Sequence, residues 1–501
     1  MWNLKRMANQ LEVRTYELVS VFPLRLTRGL RIFKTSSYLV SYKMDLISEL
    51  PEALLLRILS LLPAQDVAST MLLSKRWRFL FTSVPRLEYD DNYHSIEYGR
   101  FSRFVDRFLF LHEAPAIVIE TLHFKLGKNC GAEDIRVCIR AADKCCVREL
   151  IFEIDGGLAS SESPPIVLPS SLYAGCRMLV TLKLSKVILE DVSSSISFPS
   201  LKTLSLLSVE YPGDEFVSRL LSSCHVLEVL HVEQCPSDNV TVFTVRVPSL
   251  KSLVLHALDD DDDDDDDDDG FVIDTPSLEW LDIVDHREGF CIIENGMPKI
   301  MTARLDVIYS HSGETMRSIT SVKRLDLCLL TSENEYPSGS VFSCLVHLKI
   351  CTCDTEWMSL LMCMLRHSPN LKSLRLEECH LVETSDPRPC WSEPNSVPEC
   401  LLSSLEAFEW VHYEGTEEEK KLVAFILRSA RCLKKVTICS SSTKICCCCC
   451  WFLAKKKRFV VGFFCFFFAF LPLFFLKHSF TPSFVFPIKG TFYKMCWVEK
   501  L

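Results

Sequence analysis

A six-residue phrase, apolar-x-x-apolar-x-apolar, recurs twelve times between Val147 and Ile438. It runs from Val147-Leu150-Phe152, Leu179-Leu182-Leu184 and Leu201-Leu204-Leu206 to Leu405-Phe408-Trp410 and Leu433-Val436-Ile438. The starts are separated by 32, 22, 26, 23, 28, 22, 22, 23, 26, 34 and 28 residues. Each phrase is one short strand with its apolar residues on one side. A strand that short cannot bury its own apolar face, so neighbouring units must stack and share a core. The segments between strands are too short for the crossovers of a generic α/β sheet. The expectation is a curved solenoid of parallel strands with irregular returns.

Several returns read as helices. Phe216, Val217, Leu220 and Leu221 form one apolar face behind Gly213-Asp214, and Met358, Leu361 and Leu365 form another behind Asp354. Leu422, Phe425 and Ile426 make a third, with Thr416 and Glu419 spaced as a capping box. The return between Leu278 and Ile300 is too short for a full helix. Upstream, Ile135, Ile139 and Ala142 predict a helix, Ile119 to Leu126 a strand, and Phe101, Phe104, Val105 and Phe108 a further helix.

Ahead of the repeats lies a compact apolar stretch from Leu50-Pro51 to Leu62-Pro63, continued to Leu73-Ser-Lys-Arg-Trp-Arg78. Pro51 suits the first position of a helix. Leu55, Ile58, Leu59 and Leu62 fall on one helical face, and Leu54 and Leu61 on a second. Pro63 is expected to stop this helix. Val67 and Met71 lie one turn apart on the next, and Ser74 caps a third that carries Trp77, Leu80 and Phe81. So few residues cannot enclose two apolar faces, so the surplus face must meet another protein or the rest of the chain.

These residues resemble the F-box of plant F-box proteins, with Phe81 standing where those relatives often carry Trp. Pro-x-Leu phrases (Phe198-Pro-Ser-Leu201, Val247-Pro-Ser-Leu250, Thr275-Pro-Ser-Leu278, Ser368-Pro-Asn-Leu371) open many of the units, as in the plant F-box/leucine-rich-repeat family. Val397 through Ile438 resembles the FBD module at the C-terminus of that family. The resemblance spans about residues 44 to 440 and departs at Cys439, where relatives continue with a further strand segment that closes the module. It implies an α/β fold class: a three-helix F-box followed by an irregular leucine-rich-repeat solenoid. It also implies a Skp-type adaptor as partner, linked to a cullin and a RING subunit, and a protein target of unknown identity held by the repeats. The adaptor would be met by Leu50, Pro51, Leu55, Ile58, Leu59, Leu62, Pro63, Val67 and Trp77.

The expected organisation is an extension over 1–43, the F-box over 44–90, linker and repeats over 91–390, a truncated FBD-like module over 391–440 and a low-complexity tail over 441–501. The first 43 residues carry eight Lys/Arg and two Glu, which fits either a transit peptide or an upstream extension of the gene model; the second is preferred. The tail holds Cys446 to Cys450, a basic Lys455-Lys-Lys-Arg458 and then eighteen uncharged residues, Phe459 to Leu476. A membrane span and translated noncoding sequence both account for it, and the second is preferred because low-complexity runs are weak evidence of structure.

The formal charge of −10 comes from eleven consecutive aspartates, Asp259 to Asp269; without them the balance is −10 + 11 = +1. No basic stripe remains to neutralise phosphates, which argues against nucleic acid as a partner. The run itself reads as a solvated loop, since it lacks the spaced ligands and turn glycine of a calcium site.

Twenty-five cysteines without a secretory signal indicate reduced thiols in the cytosol or nucleus. Cys351 and Cys353, with Cys363 and Cys379 downstream, have the wrong spacing for a familiar zinc motif and read as buried thiols. Gly127-Lys128 is followed by Asn129, not the Ser or Thr of a phosphate loop, and no hydrolase or metalloprotease motif occurs. The expectation is a substrate receptor with no catalytic residue, cofactor or metal of its own. Its rivals are a leucine-rich scaffold without a ligase and, if the tail is genuine, a membrane-tethered receptor.

Overall fold

The computed structural model describes residues 47, 50–90, 119–127, 132–154, 167–191, 196–234, 239–257, 269–287, 289–308, 312–329, 339–354, 356–380, 391–440, 483–488 and 491–496. The expected helix at Phe101 to Phe108, the extension over 1–43, Asp259 to Asp268 and the Cys446 to Leu476 stretch lie outside them.

Three short helices come first: α1 (Glu52–Leu59), α2 (Ala64–Thr70) and α3 (Lys75–Thr82). The first is shorter than its apolar spacing suggests. It ends at Leu59, and the N–H groups of Leu61 and Leu62 donate to Ile58 and Leu59 carbonyls three residues back in a tightened last turn. Pro63 acts chiefly as the start of α2: its carbonyl accepts from the N–H groups of Asp66 and Val67 at 2.9 and 3.0 Å. Ser74 caps α3 as expected, its Oγ accepting from the Trp77 N–H at 3.4 Å. Trp77, Leu80 and Phe81 are all buried.

Fourteen strands then form one parallel sheet in strict chain order. They are β1 (Arg86–Asp90), β2 (Thr121–Leu126), β3 (Glu149–Ile154), β4 (Thr181–Ser185), β5 (Thr203–Leu207), β6 (Val229–Gln234) and β7 (Ser252–Ala257), continuing as β8 (Trp280–Asp285), β9 (Thr302–Val307), β10 (Arg324–Leu329), β11 (His347–Cys351), β12 (Ser373–Glu377), β13 (Ala407–Tyr413) and β14 (Lys435–Ser440). All twelve repeat phrases lie on this sheet, and β1 and β2 extend it in the N-terminal direction.

The register is what the phrase demands. Leu230, Leu253, Leu281, Ala303, Leu325 and Leu348 stand side by side, and Val232, Leu255, Ile283, Leu305, Leu327 and Ile350 form the next column. In the first eleven units every one of these inward residues is at most 2% exposed. In the twelfth, Leu433, Val436 and Ile438 are only half-buried. An antiparallel hairpin of Ser483–Ile488 and Thr491–Cys496 is also described, its second strand alongside β14.

The returns behave as their sequences indicate. Asp214–Ser222 buries Phe216, Val217, Leu220 and Leu221, and Trp357–His367 buries Met358, Leu361 and Leu365. In Glu417–Ser429 both halves of the Thr416/Glu419 capping box are made. The short return after Leu278 forms a strand, Phe290–Ile293, within a second parallel sheet with Val242–Arg246 and Gly270–Asp274. Gly270 is confined to glycine because a Cβ there would collide with the Phe290 carbonyl.

Asp269 closes the aspartate run and departs from the expectation of a wholly solvated loop. It accepts from Arg287 at 3.1 Å, and the same guanidinium donates to the fully buried Asp285 and to Gln234. An ion pair of this kind is retained because Asp285 has to keep its hydrogen bonds away from water.

The stacked columns imply a steep difference between neighbouring positions. Leu281→Ala should cost about 2–5 kcal/mol, since it opens a cavity in the continuous core. Trp280→Ala, at a side chain 44% exposed, should stay within about 0.5 kcal/mol. Chemical denaturation of the two variants checks this.

Candidate functional site

The helical unit was expected to present Leu55, Ile58, Leu59 and Leu62 outward. The structure places them differently. Leu55 and Leu59 are buried, as are Val67 and Trp77, so these four hold the unit together. Ile58, Leu62 and Pro63 are half-buried. Leu50 is half-buried and donates its N–H to the Ile47 carbonyl at 3.1 Å, and Pro51 is exposed.

The apolar surface lies on the other residues: Leu54, Leu61, Leu72, Leu73 and Phe79 are 48–88% exposed. Five of the fourteen large exposed apolar side chains among the described residues thus fall within this one short unit. Clustered apolar exposure of that kind marks an interaction surface. The two-face pattern was readable in the sequence. Which face turns inward depends on α3 packing against α1 while α2 packs on α3 and β1, and periodicity alone does not carry that.

A second surface comes from the repeats. The fifth position of the phrase points away from the core, and from β8 to β13 it reads Asp282, Arg304, Asp326, Lys349, Arg375 and Glu409. Arg304 pairs with Asp282 and Asp306 at 3.6 and 3.0 Å. Glu377 accepts from Lys349 at 2.8 Å and from Arg375 at 3.0 Å, and Arg375 reaches Glu409 at 3.1 Å. None of these residues is singled out by the sequence reading, although a charged side chain of either sign at one fixed repeat position is the available signal.

The electrostatics follow from that crowding. Burial alone would raise the Glu377 carboxyl, but Arg375 and Lys349 outweigh it and hold the group at about 2. Asp306 is also drawn down despite burial, by the His286 hydrogen bond and by the His380 and Arg304 charges. Burial wins at Asp326, whose carboxyl is pushed up in spite of Lys349 and Arg324. Hard-wired pairs on a sheet face position charges for recognition and set specificity more than raw affinity.

Beside Asp306, at the C-terminal ends of the strands, the sulfurs of Cys328, Cys351 and Cys353 converge, together with a His286–Asp306–His380 cluster. Hydrogen bonds from Cys328 and Cys351 hold the Cys353 thiol well below its ordinary value.

The comparisons with known proteins bear on the whole length of this architecture. Residues 47–89 match the F-box domain model, residues 137–303 the leucine-rich repeats of FBD-associated F-box protein At5g56370, and residues 393–438 the FBD model. FBD-associated F-box protein At1g32375 of Arabidopsis thaliana is 61% identical over 79% of this chain and 93% of its own length. At5g50270, of the same description and organism, is 58% identical over 79% and 97%. The chain belongs to the FBD-associated F-box protein family. F-box/FBD/LRR-repeat protein At5g56420 of Arabidopsis thaliana, at 47% identity over 80% of this chain and 92% of its own, shares the same three parts. The solved Rad7–Elc1 complex of yeast aligns at 14% identity with a TM-score of 0.31, covering 69% of this chain and 88% of that one, too low to add to the fold. Membership in this family gives the chain the build of an F-box substrate-recognition protein.

Glu377 supplies a pH test of the charged face. Its folded value of about 2 lies below the ordinary carboxylate value of 4.5, so its contribution is fully present above pH 4.5 and is lost as pH falls toward 2. Glu377→Gln should therefore lower stability at neutral pH and flatten its decline across that acid window. Thermal melts of the two proteins at stepped pH check the slope.

Proposed function

We propose that this chain is the substrate-receptor subunit of a Skp–cullin–F-box ubiquitin ligase. The F-box helices dock a Skp-type adaptor, the repeats and FBD hold a protein target, and ubiquitin transfer belongs to the cullin-linked RING subunit and its partners. The observation that carries this is the exposed apolar set Leu54, Leu61, Leu72, Leu73 and Phe79 on a unit that matches the F-box model. Apolar residues at the centre of an interface supply most of its binding energy. The matched parts are recognition modules, which supports a receptor without a catalytic role.

The setting we propose is the cytosol or nucleus. Fifteen of the described cysteines are free thiols, which suits a reducing compartment. Among the described residues no helix is long and apolar enough to cross a membrane; Phe459 to Leu476 lies outside them.

With the adaptor face proposed on the exposed set, Leu54 and Leu61 give the decisive experiment. Leu54→Asp with Leu61→Asp should abolish co-purification with a Skp-type adaptor, because each substitution buries a carboxylate without a partner in an apolar contact. The melting of the repeat region should be unchanged. Leu55→Asp should instead unfold the helical unit itself, visible as lost helical circular dichroism. Retention of adaptor by the Leu54/Leu61 double variant, or failure of the unaltered chain to bind any adaptor, would overturn the ligase reading in favour of a free-standing scaffold.

A further inference from the structure

Three sulfurs from consecutive parts of the solenoid meet at one edge of its charged face. Cys328 lies on β10 one residue beyond the registered pair Leu327 and Ile350, so parallel pairing sets it beside Cys351 at the end of β11. Cys353 follows two residues later and returns its side chain to the same side. Its Sγ lies 3.4 Å from that of Cys328 and 3.2 Å from that of Cys351. All three sulfurs fall within 4.8 Å of one another. Cys328 and Cys351 are buried, and Cys353 is half-buried.

The surroundings complete a pocket for sulfur ligands. The backbone N–H of Cys379, just past β12, donates to the Cys351 Sγ at 3.2 Å, the kind of bond that supports a thiolate. Cys379 itself is exposed, so the cluster is open on that side. The Lys349 ammonium on β11 stands near Cys379 and adds positive charge where thiolates would gather.

We propose that Cys328, Cys351 and Cys353 form a binding site for one thiophilic divalent cation of the zinc class, its fourth position filled from the side where Cys379 is exposed. The donor set decides the class. Three thiolates in contact suit a soft or borderline cation, whereas magnesium and calcium take oxygen ligands. A disulfide would engage two of the three sulfurs and leave the third beside it, while a cation uses all three. A metal here would tie β10, β11 and the following loop together beside the ion pairs of Arg304, Lys349 and Glu377. The site was hidden in the sequence because Cys328 is supplied by the preceding repeat, 351 − 328 = 23 residues earlier, and the solenoid register alone closes that distance.

The test uses the full chain, purified metal-free under reductant, with Cys446 to Cys450 replaced by serine so that this run does not compete for metal. Cobalt is added and its visible absorption recorded. One cobalt per chain should bind with thiolate-to-metal charge transfer and the strong bands of tetrahedral coordination, and zinc should displace it. Cys328→Ser and Cys353→Ser should each weaken binding by more than the roughly 10–100-fold that loss of a merely supporting contact costs. Cys224→Ser, at a buried thiol in another unit, and His286→Ala with His380→Ala should leave the bands unchanged.

A second measurement needs no substitution at the cluster. Zinc should shield the half-buried Cys353 from alkylation, read by peptide mass spectrometry, while the exposed Cys146 and Cys344 react equally with and without it. The proposal is overturned by absent cobalt bands, by binding that Cys328→Ser and Cys353→Ser leave as strong as Cys224→Ser does, by bands lost with the histidine pair, or by alkylation that zinc does not change.

Discussion

The structure depends on one packing relation, the registered stacking of inward side chains along a parallel ladder. Leu253 is buried because Leu230 and Leu281 flank it, and each of those is buried for the same reason. No unit contains a core of its own. Stability is accordingly a sum of neighbour terms, and the ends of the array are where the sum falls short.

Because the core is satisfied by only three positions of each phrase, the positions between them are released for other uses. From β8 to β13 they carry charges of both signs, and Arg304, Lys349 and Arg375 among them pair across strands with Asp282, with Glu409 and with Glu377 just past its phrase. The parallel register repeats every strand end at the same height, so side chains from successive repeats collect there. Asp306, Cys328 and Cys351 come together in this way, and so do His286 and His380, from elements far apart in the chain. The return segments serve the same core from the other side, whether as the capped helix Glu417–Ser429 or as the strand Phe290–Ile293.

The helical unit obeys a different rule. Its three short helices share a small core of Leu55, Leu59, Val67, Trp77, Leu80 and Phe81, and its remaining apolar residues have no place inside it. Their exposure is a consequence of size: a unit this small has too little interior for the apolar residues it carries. A recognition protein gains from this, since the same shortage that leaves Leu54, Leu72 and Phe79 outside makes them available to a partner.

The sequence by itself determined the repeat count, the inward residues of each strand, the helical returns and the Thr416 cap, since all of these follow from local periodicity and cap chemistry. It also carried the family resemblance, through motifs that stand in order along the chain. Tertiary structure alone decided which face of α1 is inside, because two apolar stripes on one helix are equivalent until α3 packs against one of them. It likewise decided that Asp269 anchors to Arg287 and that Cys328 joins Cys351 and Cys353. Those meetings require the register of whole strands, a property that no single stretch of residues possesses.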